Sequence, residues 1–228
     1  IYVKDLDELL RAVDYNVRIP EDIIILDGMV ADSLAHASPW QNVHSKLLID
    51  ATTPTPNDPR ATEPKMMGCP DSLGISALGI EGVTKAKMMA SSMLVVTTNV
   101  EGGPRPESSM EEVNEETAKA QREQIARIRD EIWSLEAAKN LRWLFITDDD
   151  ADLDEEHWRR RLLWQLFCRF EVARDFHFDK ERKRVSWDAT APIPSNEGPL
   201  PVRRWPAVTL HDPEVEARVE KWMQREGL

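Results

Sequence analysis

A duplicated α/β fold built on a mostly parallel sheet is what this sequence predicts, and three observations predict it. Lys46-Leu47-Leu48-Ile49-Asp50-Ala51-Thr52 returns as Arg184-Val185-Ser186-Trp187-Asp188-Ala189-Thr190. Ahead of each Asp-Ala-Thr stand an amphipathic helical segment and a short strand, so that Glu8-Leu9-Leu10 aligns with Arg161-Leu162-Leu163, and Ile23-Ile24-Ile25 with Phe176-His177-Phe178. A further strand-like run, Leu141-Arg142-Trp143-Leu144-Phe145-Ile146-Thr147, opens the second copy. Helices alternating with apolar runs of strand length are the pattern of α/β units, and two copies around a long middle segment do not make a solenoid. The Asp-Ala-Thr signatures are closer in sequence than the helices, so the first copy holds extra residues, mainly in residues 27–45. This divides the chain into a first α/β repeat (residues 1–60), a connector with a short strand and a long helix (61–140), and a second α/β repeat with a Pro-rich tail and a last helix (141–228).

Taken in order, Asp5 or Asp7 caps a helix whose Leu6, Leu9, Leu10, Val13 and Val17 recur at helical spacing, and Pro20 ends it. Ile23-Ile24-Ile25-Leu26 is a continuous apolar run, the pattern of a strand buried on both faces in a parallel sheet. Asp27-Gly28 turns the chain, residues 31–40 form a loop or short helix, and Leu47-Leu48-Ile49 is the next strand. Five prolines, from Pro54 to Pro70, make residues 53–71 a connector. Residues 84–93 suit a short helix, and Met93-Leu94-Val95-Val96-Thr97-Thr98 a strand. Residues 109–139 give the longest helix signal, with Ser109 and Glu112 as a capping box and Ile125, Ile128, Ile132 and Leu135 as a stripe. That stripe either packs on the sheet or meets a partner helix, and with fewer than three heptads packing is favoured. The second repeat follows: a strand at 141–147, a helix at 155–170, and strands at 176–178 and 185–187. Five prolines then impose an extended tail with Trp205 as an anchor, and Asp212-Pro213 starts a last helix bearing Val215, Val219 and Trp222 on one side.

The 228 residues are 31% charged and 41% hydrophobic, with net charge −12 and pI near 5.0. An acidic globular protein of this size buries a real core and is a poor match for nucleic acid or an anionic membrane, whose binding needs clustered Lys and Arg. Arg159-Arg160-Arg161 and Arg203-Arg204 are the local exceptions, read as solvated positions. Cys69 and Cys168 stand alone, which suits the reducing cytoplasm, and no run is long enough to span a membrane. The chain opens on Ile1-Tyr2-Val3 where the second copy has a full strand, so the opening strand is expected upstream, in a longer polypeptide.

Few residues offer chemistry. Asp148-Asp149-Asp150-Ala151-Asp152 begins like a calcium loop, but Leu153 stands at the turn Gly and Arg159 at the bidentate Glu, so the acids are expected to cap and charge the helix that follows. His36, His44, His157, His177 and His211 form no metal-binding spacing. Asp32, His36 and His44 share one loop region and are the only candidates for a site within the chain.

With those residues in view, the chain resembles the C-terminal region of the UbiD family of decarboxylases. The similarity rests on Asp5-Leu6-Asp7-Glu8-Leu9-Leu10, on Ala31-Asp32-Ser33-Leu34-Ala35-His36-Ala37-Ser38-Pro39, on Lys46 to Thr52, and on Val202-Arg203-Arg204-Trp205-Pro206 leading to His211-Asp212-Pro213-Glu214-Val215. The duplicated unit looks like the longer, menaquinone-type members. Leu48 and Ala35 depart from the family's usual Gly and Asp. The resemblance implies a decarboxylase of an aromatic or unsaturated carboxylic acid that uses prenylated FMN and a divalent metal, both held by an upstream catalytic domain, so no catalytic, cofactor-binding or metal residue carries over. It also implies a homo-oligomer, for which Val215, Val219 and Trp222 are the contact candidates. A free-standing interaction subunit of a separate catalytic chain is the alternative.

Overall fold

The computed structural model describes residues 5–31, 37–62, 67–99, 114–198, 200–204 and 212–226. Asp5 caps helix α1 (Leu6–Asn16), its carboxylate accepting from the Glu8 N–H at 3.0 Å. Strand β1 (Ile23–Val30) and strand β2 (Val43–Ile49) follow as an antiparallel pair, in register from Ile23 opposite Ile49 to Val30 opposite Val43. Asp27 and Gly28 do not turn the chain as expected. They form a bulge inside β1, where Gly28 at φ +65° takes the left-handed conformation that the extra residue requires.

The main sheet has five strands, β3 (Val83–Ala90), β4 (Met93–Thr98), β5 (Trp143–Asp148), β6 (Phe176–Asp179) and β7 (Arg184–Ala189), in the order β3-β4-β5-β7-β6. The three central strands run parallel and each edge strand is antiparallel to its neighbour. The period-2 alternation of β4 and β5 divides the core. Met93, Val95, Trp143 and Phe145 face one layer, Leu94, Val96, Leu144 and Ile146 the other. Helix α2 (Ser72–Ala77) and the long helix α3 (Glu115–Ser134) cover the second layer. Helix α4 (Trp158–Arg169), the short helix α5 (Val172–Asp175) and α1 cover the first. The last helix, α6 (Pro213–Glu226), is exposed along its described length.

The isoleucine stripe Ile125, Ile128 and Ile132 packs on the sheet with Leu144 and Ile146. Its helix starts later than expected, at Glu115, where the Asn114 side chain accepts from the Thr117 N–H at 3.0 Å; Ser109 and Glu112 lie outside the described residues. Residues 84–93 are not helix: 84–90 belong to strand β3, and 91–92 turn the chain into β4. Lys-Ala-Lys-Met favours a helix in isolation, but pairing with β4 overrides that weak preference and points Lys85 and Lys87 the same way, toward Asp152, Asp154 and the Leu153 carbonyl. The apolar run Ile23-Ile24-Ile25-Leu26 is not buried in a parallel sheet either. Strand β7 has β5 as a parallel neighbour on the side away from β6, whereas among the described strands β2 has β1 alone beside it, so only Ile23 of that run is buried and Ile24 is 56% exposed.

The two Asp-Ala-Thr segments close with the same local bonds. Asp50 accepts from the N–H and hydroxyl of Thr52, at 3.0 and 2.6 Å, and Asp188 from those of Thr190, at 3.0 and 2.7 Å. Asp22 accepts from the Arg18 N–H at 2.8 Å, and Asp175 from the Glu171 N–H at 2.8 Å. Buried Arg142 fastens α1 to the sheet by donating to the carbonyls of Asp14, at 2.6 Å, and Val17. The Asp14 carboxylate in turn accepts from the Ser92 N–H at 3.1 Å and from the hydroxyls of Ser91 and Ser92.

Candidate functional site

The chemistry-bearing side chains gather where α5 meets the β1–β2 pair. Glu171 is the N-cap of α5 and is fully buried. Its carboxylate lies 2.6 Å from His44 Nδ1 and accepts from the Ser45 N–H at 3.1 Å, and the Ser45 hydroxyl donates to Asp27 at 2.8 Å. Burial pushes Glu171 up, but the bonds from His44 and Ser45 outweigh it and hold the carboxyl below its ordinary value. One turn on, Arg174 grips Asp175 through Nε at 2.6 Å and Nη2 at 2.7 Å, both side chains buried, and spends Nη1 on the Ala37 carbonyl at 3.3 Å. Arg203 bonds the neighbouring Ser38 carbonyl at 2.8 Å. A chain of polar bonds therefore ties Asp27 and residues 37–45 to α5 and to Arg203 of the tail.

Of the predicted loop site, only His44 lies in this cluster. Asp32 and His36 fall outside the described residues, as do Trp205 and His211. His44 is committed to Glu171, which is an arrangement for holding two segments together and not for receiving a ligand.

The acids after β5 are engaged, but not as helix caps. His157 occupies the N-cap of α4, without a side-chain bond. Asp148 accepts from the Ala191 N–H at 2.7 Å and pairs with Arg169 at 2.8 Å; Asp150 also pairs with Arg169, and Asp152 and Asp154 hold Lys85 at 2.7 Å each. A basic side chain from another element satisfies each of these, so the acidic run braces the carboxyl ends of the parallel strands. Among the described residues no group of three or more His, Cys, Asp or Glu is placed to hold a metal ion. Nor are the basic runs a free patch: Arg159 stacks over Trp158 and pairs with Asp7. Burial pushes the Cys69 thiol up to about 11, so it is no nucleophile.

Sequence reasoning missed Glu171, Arg174, Asp175 and Asp188. Burial pushes Asp188 up to about 7, with Asp175 adding to the effect, and Asp148 rises to about 6, again by burial. The signal was present for two of them, because the repeat pairs Asp175 with Asp22 and Asp188 with Asp50. Asp22 and Asp175 are both buried, whereas Asp50 is exposed, and nothing in the sequence marks that difference. Val215, Val219 and Trp222 are where the sequence put them, on α6, with Trp222 50% exposed and Met223 beside it.

Residues 1–51 match the sequence model of the 3-octaprenyl-4-hydroxybenzoate carboxy-lyase C-terminal domain. That segment contains α1, β1, β2 and the start of the first Asp-Ala-Thr. Among solved structures, the vanillic acid decarboxylase of Sedimentibacter hydroxybenzoicus in open form, with truncated VdcD, matches at 14% identity and a TM-score of 0.38, covering 67% of this chain and 32% of that one. The closed form matches with a TM-score of 0.41 at the same identity, covering 66% and 31%. An evolved dimeric form of the UbiD-class enzyme HmfF from Pelotomaculum thermopropionicum, in complex with prFMN, matches at 14% identity and a TM-score of 0.37, over 64% of this chain and 27% of that one. The match thus spans about a third or less of those chains. Over its first 51 residues, this chain is similar to the C-terminal region of the UbiD family of decarboxylases.

Proposed function

We propose that this chain is the C-terminal assembly and lid region of a cytoplasmic UbiD-like decarboxylase of the longer, menaquinone type, acting on an aromatic or unsaturated carboxylic acid. The match of residues 1–51 to the family's C-terminal domain carries the reading. The chemistry of the described residues supports it: buried Arg174 and Asp175 are paired with each other, Glu171 is held by His44 and Ser45, and apolar side chains stay exposed on α6. In this reading prenylated FMN and its divalent metal sit in the catalytic domain upstream, and this region contributes surface rather than a reacting group. No helix among the described residues is long and apolar enough to cross a membrane.

The assembly contact is assigned to α6, where Val215, Val219, Trp222 and Met223 form an apolar stripe at helical spacing that is open in the single chain. A homo-oligomer formed through this stripe would bury it.

The test is intact mass together with a flavin absorbance spectrum, on protein purified from its native source. A mass well above 26.1 kDa with a bound flavin chromophore is the expected result. A native mass near that of this chain, without flavin, would overturn the single-polypeptide reading and leave a free-standing interaction subunit with a separate catalytic partner.

A further inference from the structure

A cleft of about 350 Å³ opens between α3 and the chain that leaves β7. Gln121 fixes its width by bonding both sides of the exit loop, donating to the Ala191 carbonyl at 2.9 Å and accepting from the Ile193 N–H at 3.1 Å. The space therefore belongs to the fold and not to a side-chain rotamer. Arg122 and Ile125 of α3 form one wall; Asp188, Ile193 and Val202 face them.

Two polar groups here are not used up by the fold. The Arg122 guanidinium makes a single long hydrogen bond among the described residues, 3.5 Å to the Ser195 hydroxyl, and beyond it has only the longer-range attraction of the Glu115 carboxylate. Asp188 takes both Thr190 bonds on Oδ1, which leaves Oδ2 with no bond among the described residues.

We propose that this cleft binds a small monocarboxylate with an apolar body, its carboxylate on Arg122 and its hydrocarbon against Ile125, Ile193 and Val202. Guanidinium matches the planar carboxylate with paired donors, and the volume lies within the range of small-ligand sites. Asp175 is paired with Arg174, so it is the apolar lining of Ile125, Ile193 and Val202 that disfavours phosphate, which has no hydrocarbon to cover it. The apolar wall separates this ligand from acetate, which has too little hydrocarbon to cover it. This proposal does not rest on the decarboxylase reading.

Asp188 gives the site a pH dependence. It is faced by Arg174 and Asp175 of α5, Asp148 of β5, His177 of β6, and Arg122 and Arg129 of α3. Burial places its titration at about 7. Below that its neutral carboxyl donates a hydrogen bond to the ligand; above it a second negative charge repels the ligand.

The experiment is calorimetric titration of the 228-residue chain with benzoate, acetate and inorganic phosphate, at about pH 6 and about pH 8. Benzoate is expected to bind at least about tenfold more tightly than acetate or phosphate, and more weakly at the higher pH. Arg122→Ala, a helix-surface change whose fold circular dichroism checks, is expected to weaken benzoate about tenfold. Asp188→Asn, which keeps an acceptor for Thr190, is expected to bind benzoate with the pH dependence removed; if that variant does not fold, the wild-type pH profile and Arg122→Ala decide. Absence of benzoate binding at about pH 6, equal binding of acetate or phosphate, or indifference to Arg122→Ala overturns the proposal.

Discussion

Arg174 and Asp175 show what a buried pair does to its neighbours. With both side chains out of water, each charge is tolerated only because the other is 2.6 Å away. Arg174→Ala is expected to destabilise the chain by about 3–5 kcal/mol in urea unfolding, because it leaves Asp175 charged and unpaired and releases the Ala37 carbonyl. Glu171 and Asp188 set opposite pH dependences. Glu171 is held below its ordinary 4.5, so the native state binds fewer protons than the unfolded chain. Its contribution is complete above 4.5 and is lost as pH falls through the folded value. His44→Ala is expected to shrink that loss, seen as a flatter dependence of the urea midpoint at acid pH. Asp188 is raised from 3.8 to about 7, so the native state holds the extra proton and stability falls as pH rises across that window. Asp188→Asn is expected to remove this decline, and a midpoint that still falls in parallel with wild type would place the titration elsewhere.

At the scale of elements, α3 rests on its packing more than on its cap. Ile128 is fully buried against Leu144 and Ile146, and Ile128→Ala is expected to cost about 2–5 kcal/mol. Asn114→Ala, which removes one bond to an exposed N–H, is expected to cost about 1 kcal/mol. Thermal unfolding of the two variants checks the order. Gly28 tests the bulge in β1: nothing lies within 4 Å of an added Cβ, so Gly28→Ala is expected to cost about 1 kcal/mol through its left-handed backbone alone. The helices and central strands were legible because their periodicity survives in any context: the stripe of α3 and the unbroken runs of β4 and β5 mean burial in almost any α/β arrangement. Strand β3 was not, since Lys85, Lys87 and Met88 favour a helix until β4 offers an edge.

Over the whole molecule, apolar side chains stay open on several described elements, Trp164 and Phe167 of α4 among them, and two of these surfaces form continuous stretches. One is the β1–β2 pair, with Ile24, Leu26, Val30 and Leu48 in solvent; the other is α6. Leu47 and Ile49 pack on the main core, and the Glu171, Arg174 and Arg203 bonds hold residues 37–45 in place, so the pair is anchored along one side only. If α6 builds the oligomer, Val219→Asp with Trp222→Ala is expected to lower the mass measured by light scattering while leaving the melting temperature of the separated chain unchanged. Those side chains contribute little to the fold of one copy.

The sequence by itself determined the α/β class, the positions of most helices and strands, and the recurrence of Asp-Ala-Thr with its local turn, because these depend on contacts within a few residues. Only the tertiary structure decided what surrounds the two Asp-Ala-Thr acids. Asp50 and Asp188 are each followed by Ala-Thr, yet one stands in solvent and the other at the carboxyl end of a strand with β5 beside it. The same holds for the apolar run of β1, whose pattern is that of a buried strand and whose burial depends on a neighbour that residues 23–26 do not specify. Burial, and with it the charge state of a carboxyl, is a property of what packs against a residue.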